Sequence, residues 1–383
     1  MNPNTSAWMT EEHNLLRDSV RRFFADELVP NMQIWRDAGI VSQAFWDKAG
    51  DAGLLAASIP EEYGGAGGSN ALDAVILYEQ ALTGDTSWGF AVHNIVTHYV
   101  VAYGTDAQKA RWLPKLASGE WVGAIAMSEP GTGSDLQAVQ TKGVLEGDEL
   151  VINGSKTFIT NGQNGQLICL VTKTGPGEGA KGLSLVFVET ESAPGFARGR
   201  NLDKLGLKGQ DTSELFFEQV RVPITNVLGG TMGQGFYQLM KQLPWERLII
   251  GITAVGASEC ALEQTLEYAQ NRKAFDQRLM DFQNTRFKLA EAKTKLEVTR
   301  AFVDQCIAQH ELGQLDAATA SMAKWWASQM QCEIVDECLQ LHGGYGYMAE
   351  YPISHLYADA RVQKIYGGTN EIMKELIARE LDR

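Results

Sequence analysis

Leu150-Val151-Ile152-Asn153-Gly154-Ser155-Lys156-Thr157-Phe158-Ile159-Thr160-Asn161-Gly162 reads as strand, turn, strand, turn. Branched and aromatic residues suit a pleated surface, and Asn-Gly pairs tolerate the positive φ that tight hairpins require. The same texture extends outward over Val122–Met127, Lys142–Glu146, Leu167–Thr172, Leu183–Val188 and Leu215–Val222, with Gly147-Asp148 as a further hairpin pair. Residues 121–225 are therefore expected to form an antiparallel β domain.

On both sides the period changes from two to between three and four. Before residue 121, Leu15, Leu16, Val20, Phe23, Phe24 and Leu28 mark a helix over Thr10–Val29, capped by Thr10 and stopped by Pro30. Similar signals predict helices over Ser42–Ala52, Asn70–Leu82, Ser87–Tyr103 and Asp106–Ala117. A glycine-rich loop, Ile59 to Gly68, interrupts them. Beyond residue 225 the helices are long. One opens at Pro244, where a missing N–H is harmless, and runs to Asn271, on the order of 40 Å. Asp281–Leu312 and Leu315–His342 follow, with shorter helices after Pro352 and Thr369. The expected architecture is α+β and multidomain: a helical domain over 1–120, the β domain over 121–225 and a four-helix bundle over 226–383.

A net charge of −14 and a pI near 5.0 exclude a general nucleic-acid binder, because phosphates would be repelled over most of the surface. Five scattered cysteines without a C-x-x-C pair indicate neither a disulfide framework nor a zinc site, and the histidines show no metal spacing. Residues 1–6 carry no basic or apolar leader, and the sequons at Asn4 and Asn153 have no meaning in a protein that is not secreted. A bacterial-type cytoplasmic location is expected. Two familiar motifs fail. Gly131-Thr132-Gly133-Ser134-Asp135 lacks the third glycine and the βαβ setting of a dinucleotide fingerprint. Asn153-Gly154-Ser155-Lys156-Thr157 lacks the glycine and helix of a phosphate loop and reads as a hairpin turn.

Several further segments occur in one order: Ala126-Met127-Ser128-Glu129-Pro130-Gly131-Thr132-Gly133-Ser134-Asp135, the strand region above, Leu205-Gly206-Leu207-Lys208, Phe216 to Pro223, Tyr268 to Phe275 with Phe282-Gln283, Gln340 to Tyr347, and Ile365-Tyr366-Gly367-Gly368-Thr369-Asn370-Glu371-Ile372. Together they resemble the acyl-CoA dehydrogenases from end to end, most closely the long-chain members. The resemblance implies an N-terminal helical domain, a middle β-barrel and a C-terminal four-helix bundle. It also implies FAD, an acyl-CoA substrate, a homotetramer and electron-transfer flavoprotein as the electron acceptor. By the same resemblance Met127, Ser128, Ser134, Phe158, Ile159 and Thr160 would contact the isoalloxazine ring. Arg272, Phe275 and Gln283 would meet the pyrophosphate and adenine of a neighbouring subunit's FAD. Gln340, Gly343 and Gly344 would let backbone approach the cofactor, with Thr369 and Glu371 at its other end.

In many members a glutamate at the position of Gly367 is the base that removes the α-proton, and glycine cannot do this. The long-chain and isovaleryl branches instead carry a glutamate at the helix position of Glu246. The resemblance therefore makes Glu246 the base. Gly367 is left to offer its N–H to the thioester oxygen beside a ribityl hydroxyl of the flavin. Taken alone, Glu246 would be a first-turn carboxylate facing the helix dipole. Ser134, Arg247, Tyr366, Gly367 and Gly368 are the implied substrate contacts, Arg247 having an ion pair as its plain alternative. Phe90, Ala91, Val92, Ile95 and Val96 are candidates for lining the acyl tail, and serve equally as core. A branched-chain dehydrogenase, a desulfinase or N-hydroxylase on the same scaffold, and a paralogue without turnover are the competing readings. A nucleic-acid-associated relative would carry a basic C-terminal extension, whereas this chain is acidic and stops at Arg383.

Overall fold

A computed structural model of the chain describes residues 6–175 and 179–382; the Asn4 sequon and the reading of residues 1–5 fall outside these. The strand texture becomes a seven-stranded sheet of β1 (Gly123–Ala126), β2 (Lys142–Glu146), β3 (Glu149–Thr160), β4 (Leu167–Lys173), β5 (Leu183–Glu189), β6 (Phe196–Asn201) and β7 (Thr212–Pro223). The strand order is β1-β4-β2-β3-β7-β6, with β5 added to β4. Most pairs are antiparallel. However, β1 runs parallel to β4, Gly123 opposite Leu167, and β2 meets the end of β4 in parallel at Lys142 and Lys173, so the sheet is not purely antiparallel.

The Gly147-Asp148 hairpin forms between β2 and β3. Asn153-Gly154 does not turn. β3 runs straight through it with a register shift against β7, because a side chain at Gly154 would meet Thr141 Oγ1 at 2.4 Å, whereas glycine lets Thr141 cross the strand. Asn161 does adopt positive φ, but the chain passes on to β4, which is not a partner of β3, so no hairpin closes there. Instead the Asn161 amide donates to the carbonyls of Gly89 and Gly123, at 3.0 Å each, and fastens the sheet to the helical domain.

In that domain α1 (Glu11–Phe23) does not stop at Pro30. A π-turn and a 3-10 turn carry the chain into α2 (Met32–Ala38), and Pro30 sits at the start of the 3-10 turn, where it needs no N–H partner. α3 (Gln43–Asp51), α4 (Asn70–Leu82), α5 (Phe90–Tyr103) and α6 (Asp106–Ser118) follow. After the sheet, α7 runs from Gly235 to Asn271, 37 residues and about 55 Å. It starts nine residues before Pro244, which lies inside the helix and removes a single backbone hydrogen bond. A small hairpin, β8 (Lys273–Ala274) and β9 (Gln277–Arg278), leads to α8 (Gln283–Glu311), α9 (Ala317–His342), α10 (Pro352–Ala360) and α11 (Asn370–Leu381). α7, α8 and α9 pack on one another and α11 packs on α9, giving the expected bundle.

One apolar core joins the first domain to the bundle through Trp46, Trp88, Trp245 and Leu248. A second packs α5 and α6 on β4 and β5. The turn of α7 at residues 245–247 is therefore buried where helices and sheet converge. Among the described residues no helix is long and apolar enough to cross a membrane.

Candidate active site

Glu246 lies in the interior of α7, so the helix-dipole explanation for a carboxylate there is lost. Its side chain is 7% exposed and has no ion pair within 4 Å among the described residues. Tyr99 of α5, itself buried, donates its phenol to Glu246 Oε1 at 2.6 Å. Burial pushes the carboxyl up to about 7, against the Tyr99 hydrogen bond and the charge of Arg247, which favour the ionised form. On β4 the buried Cys169 thiol is pushed upward by its own burial and also by Glu246, which puts the carboxylate where α5, α7 and β4 meet. The preceding residue, Trp245, is clamped between two imidazoles, His98 at 5.6 Å and His310 at 4.8 Å, and donates its indole N–H to Asn94. A buried acid with no ion pair within 4 Å among the described residues, on a turn held this firmly, is a candidate for a general base.

Gly367 stands one helical turn along. A Cβ there would meet Ile250 Cδ1 at 2.4 Å, and Ile250 is four residues after Glu246. With φ at +62°, the position favours glycine on both counts. The loop is anchored from beneath by Lys324 of α9, fully buried, whose ammonium donates to the Gly368 carbonyl at 2.7 Å and to Asn370 Oδ1 at 2.9 Å. One turn earlier on α9, Ser321 accepts from Arg247 at 3.2 Å. Arg247 is buried, forms no ion pair among the described residues, and leaves its Nε without a partner. Tyr366 is partly exposed and donates to Gln363.

A second group forms along β3. The Thr157 N–H donates to the Ser128 carbonyl at 3.0 Å, and buried Lys156 donates to the Met127 carbonyl and to Glu129, at 2.9 Å each. These bonds hold the Met127–Glu129 segment against β3. At the next register shift Phe158 has φ +62° and is 70% exposed. An aromatic ring held outward in the left-handed region is a position where strain accompanies function. Among the described residues neither Ser128 nor Thr160 uses its hydroxyl in a hydrogen bond. A flat heteroaromatic ring with polar edges fits an apolar ring beside two free hydroxyls. Ile159 departs from its expected part, because its side chain points into the sheet's core and only its backbone is available. Ser134 lies exposed on the loop after Glu129.

A third group lies elsewhere. Arg272 caps α7 and stacks over Tyr345 at 5.4 Å, beside exposed Gln340, Gly343 and Gly344. Phe275, 90% exposed, sits edge-on to Phe282, next to Gln283. Twenty-six residues of helix separate Arg272 from Glu246, about 39 Å, too far for one flavin nucleotide to touch both within a single chain. Thr369 caps α11 through its hydroxyl oxygen, and Glu371 is exposed on the first turn. Of the acyl-tail candidates, Phe90 and Val96 are core, Phe90 stacked on Trp88, while Ala91, Val92 and Ile95 keep partial exposure. A cavity of about 990 Å³ between α1, α4, α7 and α8 is a different feature. Its α7 wall, Ile252, Val255, Glu259 and Leu262, lies roughly 120° to 180° round the helix from Glu246.

Tyr99, Lys324 and Ser321 were not reached from the sequence. Tyr99 lies in α5 among buried His93, Asn94, Thr97 and His98, and no periodicity tells which polar residue in such a helix faces a partner. Lys324, in a run of small and aromatic residues, gave the better signal, since a lysine on a wholly apolar helix face needs an acceptor.

Family models for the N-terminal, middle and C-terminal domains of acyl-CoA dehydrogenase match residues 10–120, 124–220 and 233–381. The chain is 49% identical over 375 residues to the mitochondrial long-chain specific acyl-CoA dehydrogenase of Sus scrofa, covering 97% of this chain and 87% of that protein. It superimposes on the crystal structure of an acyl-CoA dehydrogenase from Geobacillus kaustophilus with a TM-score of 0.96, at 44% identity and covering 99% of this chain and 100% of that one. A glutaryl-CoA dehydrogenase from Mycobacterium smegmatis, solved in complex with FADH2, matches with a TM-score of 0.91 at 26% identity, covering 99% of this chain and 96% of that one. The chain belongs to the acyl-CoA dehydrogenase family, flavin-dependent oxidoreductases that act on the CH–CH bond of an acyl-CoA.

Proposed function

We propose that this protein oxidises a medium- to long-chain saturated fatty acyl-CoA to the trans-2-enoyl-CoA, with Glu246 as the base. The observation that carries the reading is a buried carboxylate with no ion-pair partner among the described residues, one turn before Ile250, whose δ-methyl a side chain at the loop glycine Gly367 would meet. Glu246 takes the α-proton through its free oxygen and becomes a neutral acid, which its apolar surroundings favour. Gly367 donates its backbone N–H to the thioester oxygen as charge develops there, and Lys324 keeps that loop in place. FAD, when bound, supplies the acceptor for the β-hydride. Ser128, Thr160 and the face of Phe158 hold its ring, with Met127 and Ser134 beside them. Arg272, Phe275, Gln283, Gln340, Gly343 and Gly344 would serve the FAD of a neighbouring copy in a homotetramer, because Arg272, at the end of α7 and against Tyr345, lies too far along that helix from Glu246 to share its flavin. Thr369 and Glu371, two and four residues past Gly367, would meet the other end of the chain's own FAD. Ala91, Val92 and Ile95 line the start of the acyl channel, Arg247 and Tyr366 border the thioester, and electrons leave to electron-transfer flavoprotein.

The test is anaerobic addition of acyl-CoAs from short to long, straight and branched, to the yellow holoenzyme. Bleaching that is strongest with straight long chains supports the reading. Preference for isovaleryl-CoA moves the assignment to a branched substrate, and an intact flavin band with every chain removes the dehydrogenase reading.

A further inference from the structure

Glu246 presents two unequal oxygens. Oε1 accepts the Tyr99 phenol at 2.6 Å, whereas Oε2 has no hydrogen-bond partner among the described residues and is not sealed from open space. Tyr99 is itself buried, so no bulk water competes for the bond. One turn further along α5, Tyr103 lies beside Gln242, one turn before Glu246 on α7, and the two tyrosine rings lie 6.2 Å apart. Two phenols on one helix thus meet two side chains on the other, and only one of them touches the acid. We propose that Tyr99 is a positioning residue for the reaction: it holds Oε1 of Glu246, so that Oε2 alone is presented to the substrate's α-carbon.

The inference rests on Glu246 being the base. A phenol donating to a carboxylate stabilises the ionised form more than the neutral one, so the bond also keeps part of the base ionised at neutral pH despite its burial. The other titratable or charged groups facing the carboxylate are Arg247 on its own helix, Tyr103 on α5 and Cys169 on β4. Arg247 favours the ionised carboxylate; the tyrosine and the thiol, both pushed upward by burial, stay neutral near pH 7 and contribute no charge.

The test uses the FAD-loaded protein and the rate of anaerobic bleaching by its best acyl-CoA, followed across pH. In Tyr99→Phe the carboxylate loses its donor, and the rising limb of the rate profile is expected to move alkaline by about one unit. The rate should fall most at low pH and recover toward wild type above the shifted limb. Tyr103→Phe removes the neighbouring phenol without touching the carboxylate and should leave the limb in place. Should Tyr99→Phe fail to fold, site-specific 2,3-difluorotyrosine at position 99, a more acidic phenol of similar shape, should move the limb toward acid. A limb that stays put in either Tyr99 variant, or a rate lowered equally at all pH values, overturns the inference. Glu246→Gln separates this from failure of the base assignment: bleaching within tenfold of wild type in that variant sinks the base reading itself.

Discussion

Replacing Glu246 by glutamine should make the holoenzyme more stable while disabling it, and the gain should depend on pH in a calculable way. The carboxyl is raised by burial from 4.5 to about 7, so the folded protein holds a proton there that the unfolded chain releases. Stability from this group is complete below 4.5 and is lost as pH climbs through about 7. With ~1.36 kcal/mol per unit, keeping the acid buried costs about 3 kcal/mol at about pH 8 and less than about 1 kcal/mol at about pH 5. The amide is neutral throughout, so any fixed cost of its extra N–H groups cancels between the two conditions. The variant's advantage should therefore grow by about 2–3 kcal/mol from the lower to the higher pH. Spread over 383 residues at ~2.1 cal/mol/K each, that is about 3 °C in Tm. Differential scanning calorimetry or flavin fluorescence at the two pH values measures it, alongside bleaching, which should fall by about 10²–10⁴-fold or more. A Tm difference that is the same at both pH values would show that the carboxylate is solvated, and the argument for Glu246 as a base tuned by burial would fall with it.

Four further outcomes follow from the packing. Gly367→Ala should lower activity and cost about 1–3 kcal/mol, because its Cβ meets Ile250 at a positive φ; adding Ile250→Ala should recover part of the loss, and simple additivity in a double-mutant cycle would deny the contact. Lys324→Met leaves the Gly368 carbonyl without its side-chain donor and Asn370 Oδ1 with Ser328 alone, and should cost about 2 kcal/mol or more while lowering kcat more than it raises KM. Lys156→Met leaves Glu129 buried and unpaired, and should cost about 3–5 kcal/mol by urea denaturation. Arg272→Ala should raise the Kd for FAD by roughly 10–100-fold at unchanged bleaching per bound flavin, checked by the ratio of flavin to protein absorbance.

The succession of helices, sheet and helices was legible because hydrophobic period is a local property and each domain keeps one period over a long stretch. What the sequence misplaced are points where tertiary contact overrides local chemistry. Asn153-Gly154 looks like a turn, but its glycine exists to let Thr141 pass under an unbroken strand. Pro244 looks like a helix start, but sheet and loops on either side support a helix that runs through it. Pro30 looks like a stop, but a 3-10 turn absorbs it. β6 escaped notice because Phe196–Asn201 carries two arginines and little alternation, being held by pairing with β7 rather than by burial. Glu246 was found only through its resemblance to a family pattern. Its environment, meaning the Tyr99 phenol and the clamp of His98 and His310 on Trp245, comes from residues far along the chain in both directions, and no short window contains it.

The contact between Ile250 and Gly367 links the two possible seats of a base in this scaffold. An acid on the loop at 367 needs room for a side chain, and here that room is taken by the isoleucine one turn beyond Glu246. An acid on the helix needs a deep, dry pocket, and a loop that brings only backbone is what leaves space for one. Under the proposed reading, the bare loop keeps the Gly367 N–H for the thioester oxygen, so the proton acceptor and the oxyanion donor would come from different elements. α9 holds both elements in relation, Ser321 gripping Arg247 beside the acid and Lys324 gripping Gly368 beside the donor. Moving the base back to the loop would thus need more than Gly367→Glu. In a Glu246→Gln background, Gly367→Glu alone should stay inactive, and activity should return only when Ile250 is also shortened. Recovery without any change at Ile250 would show that the two seats are independent.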